Sequence, residues 1–124
     1  MANPNIVNVT SILGVTTAVG LSTTAVTTFL SNAASSNKVF RINTILASNT
    51  DGTTSADITI RYHLGAAGAG TSIPVASTIA VPADASLVIV GKDNPIYLEE
   101  NRSLTAEASA ANDIAIICSY EEIS

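Results

Sequence analysis

The sequence has no tryptophan, one cysteine, one histidine and few charges, and each scarcity narrows what the chain can do. A lone Cys118 forbids an intramolecular disulfide. It lies in the apolar run IAIICSY, where a cysteine reads as a small buried hydrophobe. With His63 the only histidine, there is no Cys/His pair at zinc-ligand spacing, and no D-x-D-x-D-G run offers a calcium loop, so neither metal nor cofactor is expected. The five basic residues, Lys38, Arg41, Arg61, Lys92 and Arg102, are scattered rather than clustered. No nucleic-acid footprint is expected. Three tyrosines and two phenylalanines are too few for a platform that stacks bases or sugars. No segment reaches the roughly 18 consecutive apolar residues of a membrane helix. The start, MANPNIVNVTSILGV, lacks the basic residues and apolar block of a secretory signal, so no export is expected and the sequons at Asn8 and Asn101 have little meaning.

What the chain does have is apolar residues, 47% of the 124, with a formal charge of −5 and a mean hydropathy of +0.41. The length predicts one domain able to hold a core without staples. The excess hydropathy is better explained by burial between subunits than by lipid. Turn signals recur about every eight to twelve residues with no convincing helix between them, which predicts an antiparallel sandwich or barrel. The favoured architecture is all-β: a two-sheet, jelly-roll-like sandwich of about eight strands.

The clearest stretch is Lys38–Leu64. Phe40, Ile42 and Leu46 share one side of a two-residue period, with Val39, Ile45 and Ala47 opposite, so the first arm reads as a central strand apolar on both faces. Ile58, Ile60, Tyr62 and Leu64 share one side of the second arm, with Asp57, Thr59, Arg61 and His63 outward. Asn-Thr-Asp-Gly between them predicts a β-hairpin. Residues 1–22, β-branched and Thr-rich, read either as an extended arm that adds a strand to a neighbour or as a first strand of the domain, broken near Gly14; residues 23–124 form the sandwich. Further strands are expected at Thr23–Leu30, Ser72–Val81, Ser86–Val90, Ile96–Leu98, Ser103–Ala108 and Ile114–Tyr120, the last buried on both faces. GAAGAGT, at 65–71, has the wrong glycine order for a phosphate-binding fingerprint and reads as a flexible surface loop.

Catalytic arrangements are not evident, and no enzyme is expected. His63, beside Arg61 on a polar strand face, reads as a solvated residue. Glu99-Glu100 and Glu121-Glu122 are adjacent carboxylates, which in an extended chain point to opposite faces and so cannot act together. They read as solvated charges or intersubunit contacts. Tyr62, Tyr97 and Tyr120 suit an interface, being large and amphipathic.

Four phrases carry a resemblance: NAASSNKVFRINTILASN at 32–49, the Val-Pro-Ala-Asp turn at 81–84, PIYLEENRSL at 95–104, and the terminal SYEEIS at 119–124. Across most of residues 6–124 the chain resembles small virion structural proteins of tailed bacteriophages, especially T4-like phages of cyanobacteria. Glu99-Glu100-Asn101 stands where that group more often has a glycine in the turn. The resemblance implies a non-enzymatic capsid decoration or cement protein, made in the host cytoplasm and placed on the virion surface. Its implied partners are itself, as a homotrimer, and the major capsid protein or other virion proteins, with no nucleic acid and no membrane. Interface candidates are then Tyr62, Tyr97, Tyr120, Glu121 and Glu122, with Ile6, Val7 and Val9 of the N-terminal segment. The alternatives are a neck, collar or tail-associated module and a host-glycan-binding module.

Overall fold

The computed structural model describes residues 4–124. Nine strands follow one another: β1 (Ile12–Gly20), β2 (Thr27–Asn32), β3 (Val39–Asn49), β4 (Ala56–His63), β5 (Ser72–Val81), β6 (Ser86–Val90), β7 (Ile96–Leu98), β8 (Arg102–Ala108) and β9 (Ile114–Ile123). One antiparallel sheet, sheet A, runs β1-β9-β3-β6, with the short β7 also on β3; the other, sheet B, runs β2-β8-β4-β5. Taking β6 and β7 as two halves of one edge strand, this is the eight-stranded order of a jelly roll. The expected sandwich is therefore formed.

The expected hairpin is not. β3 lies inside sheet A and β4 inside sheet B, so the Asp-Gly segment is an arch between sheets. A two-residue type I′ turn needs positive φ at both central residues, and neither Asp51 nor Gly52 has it. Instead Asn49 turns inward at 3% exposure. Its Nδ2 donates to the carbonyls of Thr54 and Val81, each at 3.0 Å, while its Oδ1 accepts from the Asp51 N–H at 2.9 Å. Asn32 plays the same part at the end of β2, donating to Lys38 O and Leu98 O at 2.8 and 3.0 Å. A single amide at each strand end thus ties a loop carbonyl to the last carbonyl of another strand at the sheet boundary.

β3 is also not apolar on two faces. Its pairing with β9 shifts between Ile42 and Thr44, and its pairing with β6 shifts between Ile45 and Leu46. One extra residue reverses which parity faces inward. Phe40 and Ile42 point into the core before the bulge, Ile45 and Ala47 after it, and Leu46 is left half-buried outside. Two out-of-phase one-sided segments look, in sequence, like one two-sided strand.

The core is the space between the inner faces. Ile42, Ile45, Ile58, Ile60, Leu98 and Leu104 are all 0% exposed there, and the rings of Phe40 and Tyr120 lie 5.1 Å apart at its end. β9 presents Ile114, Ile116 and Cys118 inward, but Ile117 on its other face is 41% exposed, so between Ile114 and Tyr120 β9 is buried on one side only.

β1 is a single strand in unbroken register with β9, without a break near Gly14. Residues 12–20 are thus the first strand of the sandwich. Before it, Asn5 closes a turn, accepting from the Val7 N–H with its side chain and from the Asn8 N–H with its carbonyl. Residues 1–3 of the expected arm lie outside the described residues.

Candidate functional site

His63 is 8% exposed, not solvated. Its imidazole Nε2 lies 2.8 Å from Thr105 Oγ1, on an outer sheet face that the 65–71 loop covers. That loop is clamped rather than free. Ala66 N–H donates to Asn101 Oδ1, Ala67 N–H to Ser31 Oγ and Gly68 N–H to Ser103 Oγ, whose hydroxyl donates in turn to Gly65 O at 2.7 Å. Gly68, at φ +75°, has no room for a Cβ, which would come 2.8 Å from Thr28 Oγ1. The glycines of GAAGAGT let the backbone lie down on sheet B over Ser103 and Thr105.

Glu99 and Glu100 lie in the turn between β7 and β8, whereas β9 divides Glu121 from Glu122. Glu121 meets Arg41 at 3.4 Å and accepts from Asn43 Nδ2 at 3.1 Å, whereas Glu122 pairs with Lys38. Both are held within the chain. Asp51 accepts from the Thr54 hydroxyl and from the N–H and hydroxyl of Thr53, which together hold its carboxyl down at about 2. Burial alone pushes the Cys118 thiol up to about 12, and at 0% exposure it is a core residue as expected. Among the described residues no group of three or more His, Cys, Asp or Glu side chains could hold a metal ion. No helix there is long and apolar enough to cross a membrane.

The interface candidates fall into three sets. Tyr120 is 8% exposed and packs on Phe40, so it belongs to the core and offers little to a partner. Tyr62 is half-buried, with its phenol pushed up chiefly by that burial; the hydroxyl donates to Tyr97 O at 3.3 Å. Tyr97, Ile6 and Val7 are open to solvent at 42%, 52% and 90%, with Val9 half-buried.

A larger surface lies where the sequence was read as core. On the outer face of sheet A, Ala18 pairs with Ile117, Ile117 with Leu46, and Leu46 with Val88. These four residues form one apolar row across four strands, with Ile117 41% and Val88 59% exposed. The rows on either side are small and uncharged: Gly20, Ala115, Ser48 and Ser86 on one, Thr16, Ser119 and Thr44 on the other. The Arg41–Glu121 pair and Tyr97 border this field one row further on. Leu46, Val88 and Ile117 escape a sequence reading because each sits in a strand whose apolar residues look two-sided. Their alignment depends on cross-strand register.

No protein-family profile and no curated protein matches the sequence. Among solved structures, the chain is similar in fold to one from Bacillus endospore appendages, described as a novel family of disulfide-linked pili, with a TM-score of 0.54 and 15% identity over 92% of this chain and 88% of that one.

Proposed function

We propose that this protein is a non-enzymatic structural subunit of a phage virion, a decoration or cement protein that binds the assembled capsid shell through the outer face of sheet A. The observation that carries this reading is the uncharged field crossed by Ala18, Ile117, Leu46 and Val88, because a soluble domain that leaves such a row uncovered across a whole sheet has a surface suited to a partner. The phrase-level resemblance to small virion proteins supplies the partner. A protein that binds only the assembled shell stabilises it by mass action.

The test is to add the purified protein to particles that lack it and locate it by electron microscopy. Density over the shell supports the decoration role. Density only at the neck or tail would overturn it.

The pilus-like fold favours a second reading, a subunit that assembles into a fibre with its own copies. Cys118 could not supply a disulfide link in such a fibre, being 0% exposed. Filaments formed by the isolated protein would favour this reading.

A further inference from the structure

The outermost strand of sheet A is an edge of unusual character. Natural sheets blunt their edges with proline, lysine, bulges or interruption, because an open row of N–H and C=O groups templates another strand. Three edges here are blunted. β5 contains Pro74, shifts register at Ile60 and holds Thr78 at φ 51°. β2 has only six residues and a bulge between Thr28 and Leu30. The edge made by β6 and β7 is interrupted by the turn carrying Lys92 and Pro95. β1 has none of these: nine residues, ILGVTTAVG, with no charge, no proline and no register shift.

The hydrogen-bonding phase of β1 follows from its ends. Ser11 and Ser124 exchange both main-chain bonds, at 3.0 and 2.9 Å, and the Leu21 N–H donates to Ile114 O at 2.9 Å. In an antiparallel ladder every second residue bonds to the same neighbour. Residues 13, 15, 17 and 19 therefore bond to β9. Ile12, Gly14, Thr16, Ala18 and Gly20 point their N–H and C=O groups off the sheet.

Those five residues are self-complementary. Placed antiparallel to itself about Thr16, the strand sets Thr16 against Thr16, Gly14 against Ala18, and Ile12 against Gly20, and every one is a mutually hydrogen-bonded pair. About ten main-chain bonds would close. Large faces small at the ends, and like hydroxyls meet at the centre. The glycines add an independent observation. A Cβ at Gly14 or Gly20 would meet nothing within 4 Å, and neither has positive φ. Glycine weakens a strand interior and often marks close approach by another backbone; nothing in the single chain calls for it at either position.

We infer that β1 is a homotypic docking edge, pairing antiparallel with β1 of a second copy about a twofold axis through Thr16. The two A sheets then become one continuous sheet whose apolar rows lie on a common face. This contact is independent of where in a virion the protein sits, and it makes the unit in solution a dimer rather than the trimer that the resemblance implies.

Two variants of the full chain test it, because Thr16 is exposed and directs its main-chain groups away from β9. Thr16→Lys sets two ammonium groups face to face on the axis; it should lower the solution mass from two chains to one and weaken association at least about tenfold, with the β-sheet circular dichroism retained and a melting temperature that no longer rises with protein concentration. Thr16→Cys should form a disulfide-linked dimer under mild oxidation, since directly opposed Cα atoms lie about 5.5 Å apart. Ala18→Cys should not, because its own copy lies about 13 Å along the partner strand. The native Cys118 is buried and does not compete. A mass of one chain up to about 1 mM, a mass of three chains unaffected by Thr16→Lys, or equal cross-linking at both cysteine positions would overturn the twofold edge.

Discussion

Single polar residues decide where this chain leaves one sheet for the other. Asn49 donates to two carbonyls, of Thr54 in the arch and of Val81 at the end of β5. Asn49→Ala should cost about 2 kcal/mol, because it removes two side-chain hydrogen bonds in a buried setting, and urea unfolding would measure the loss. Asp51 works on the solvent side of the same arch. Its folded pKa, about 2, lies below its ordinary value of 3.8, so its stabilising contribution is present above the unfolded pKa and is lost as pH falls through the folded one. Between about pH 4 and pH 2, wild type should lose more stability than Asp51→Asn, and equal slopes in acid titrations of unfolding would contradict the assignment. Sequence reading placed a hairpin turn at Asp51-Gly52, where the chain instead arches between sheets with Asp51 bonded to Thr53 and Thr54. It could not find Asn49, because an asparagine beside a turn looks alike whether it faces water or the core.

At the scale of elements, strand positions were largely legible and faces were not. Alternation located β3 to β9 within a few residues, yet it missed the bulge that changes the phase of β3, and it joined β3 to β4 as a hairpin although their partners lie in different sheets. Pairing partners are chosen by the whole core, and one strand's alternation does not contain that choice. The bulge makes a sharp prediction. If Ile45 faces in and Leu46 out, Ile45→Ala should cost about 2–5 kcal/mol through loss of packing and a cavity. Leu46→Ala should cost about 1 kcal/mol or less. Equal losses in denaturant unfolding would mean that β3 has two buried faces after all. The 65–71 loop carries the same lesson in reverse. Its glycines look like slack in the sequence, whereas Ser31, Asn101 and Ser103, all remote from it along the chain, fix it over His63 and Thr105.

For the molecule as a whole, assembly has to be argued from surfaces that no single segment reveals. Ala18, Leu46, Val88 and Ile117 come from four strands and meet only through register. Their hydrophobicity could be counted in the sequence, which is why a subunit contact could be anticipated, but their place outside the core could not. Under the decoration reading, the row is where the shell protein sits, and charge there should oppose binding without touching the fold. Val88 is 59% exposed and Ile117 41%, so Val88→Lys with Ile117→Lys should change unfolding stability by no more than about 1 kcal/mol. Each lysine would have to be desolvated in any complex that covers the row, a cost that the apolar wild-type pair does not carry. Binding to particles lacking the protein, measured by co-sedimentation, should then fall at least about tenfold for the double variant. The edge contact at Thr16 borders the same face, and solution mass separates the two surfaces: the lysine pair on the row should leave the solution dimer intact, while Thr16→Lys should produce single chains that bind more weakly, through loss of effective concentration and through a charge beside the row. A double variant that bound particles as well as wild type would remove the row from the function and leave the edge of β1 as the only assembly surface argued from this fold.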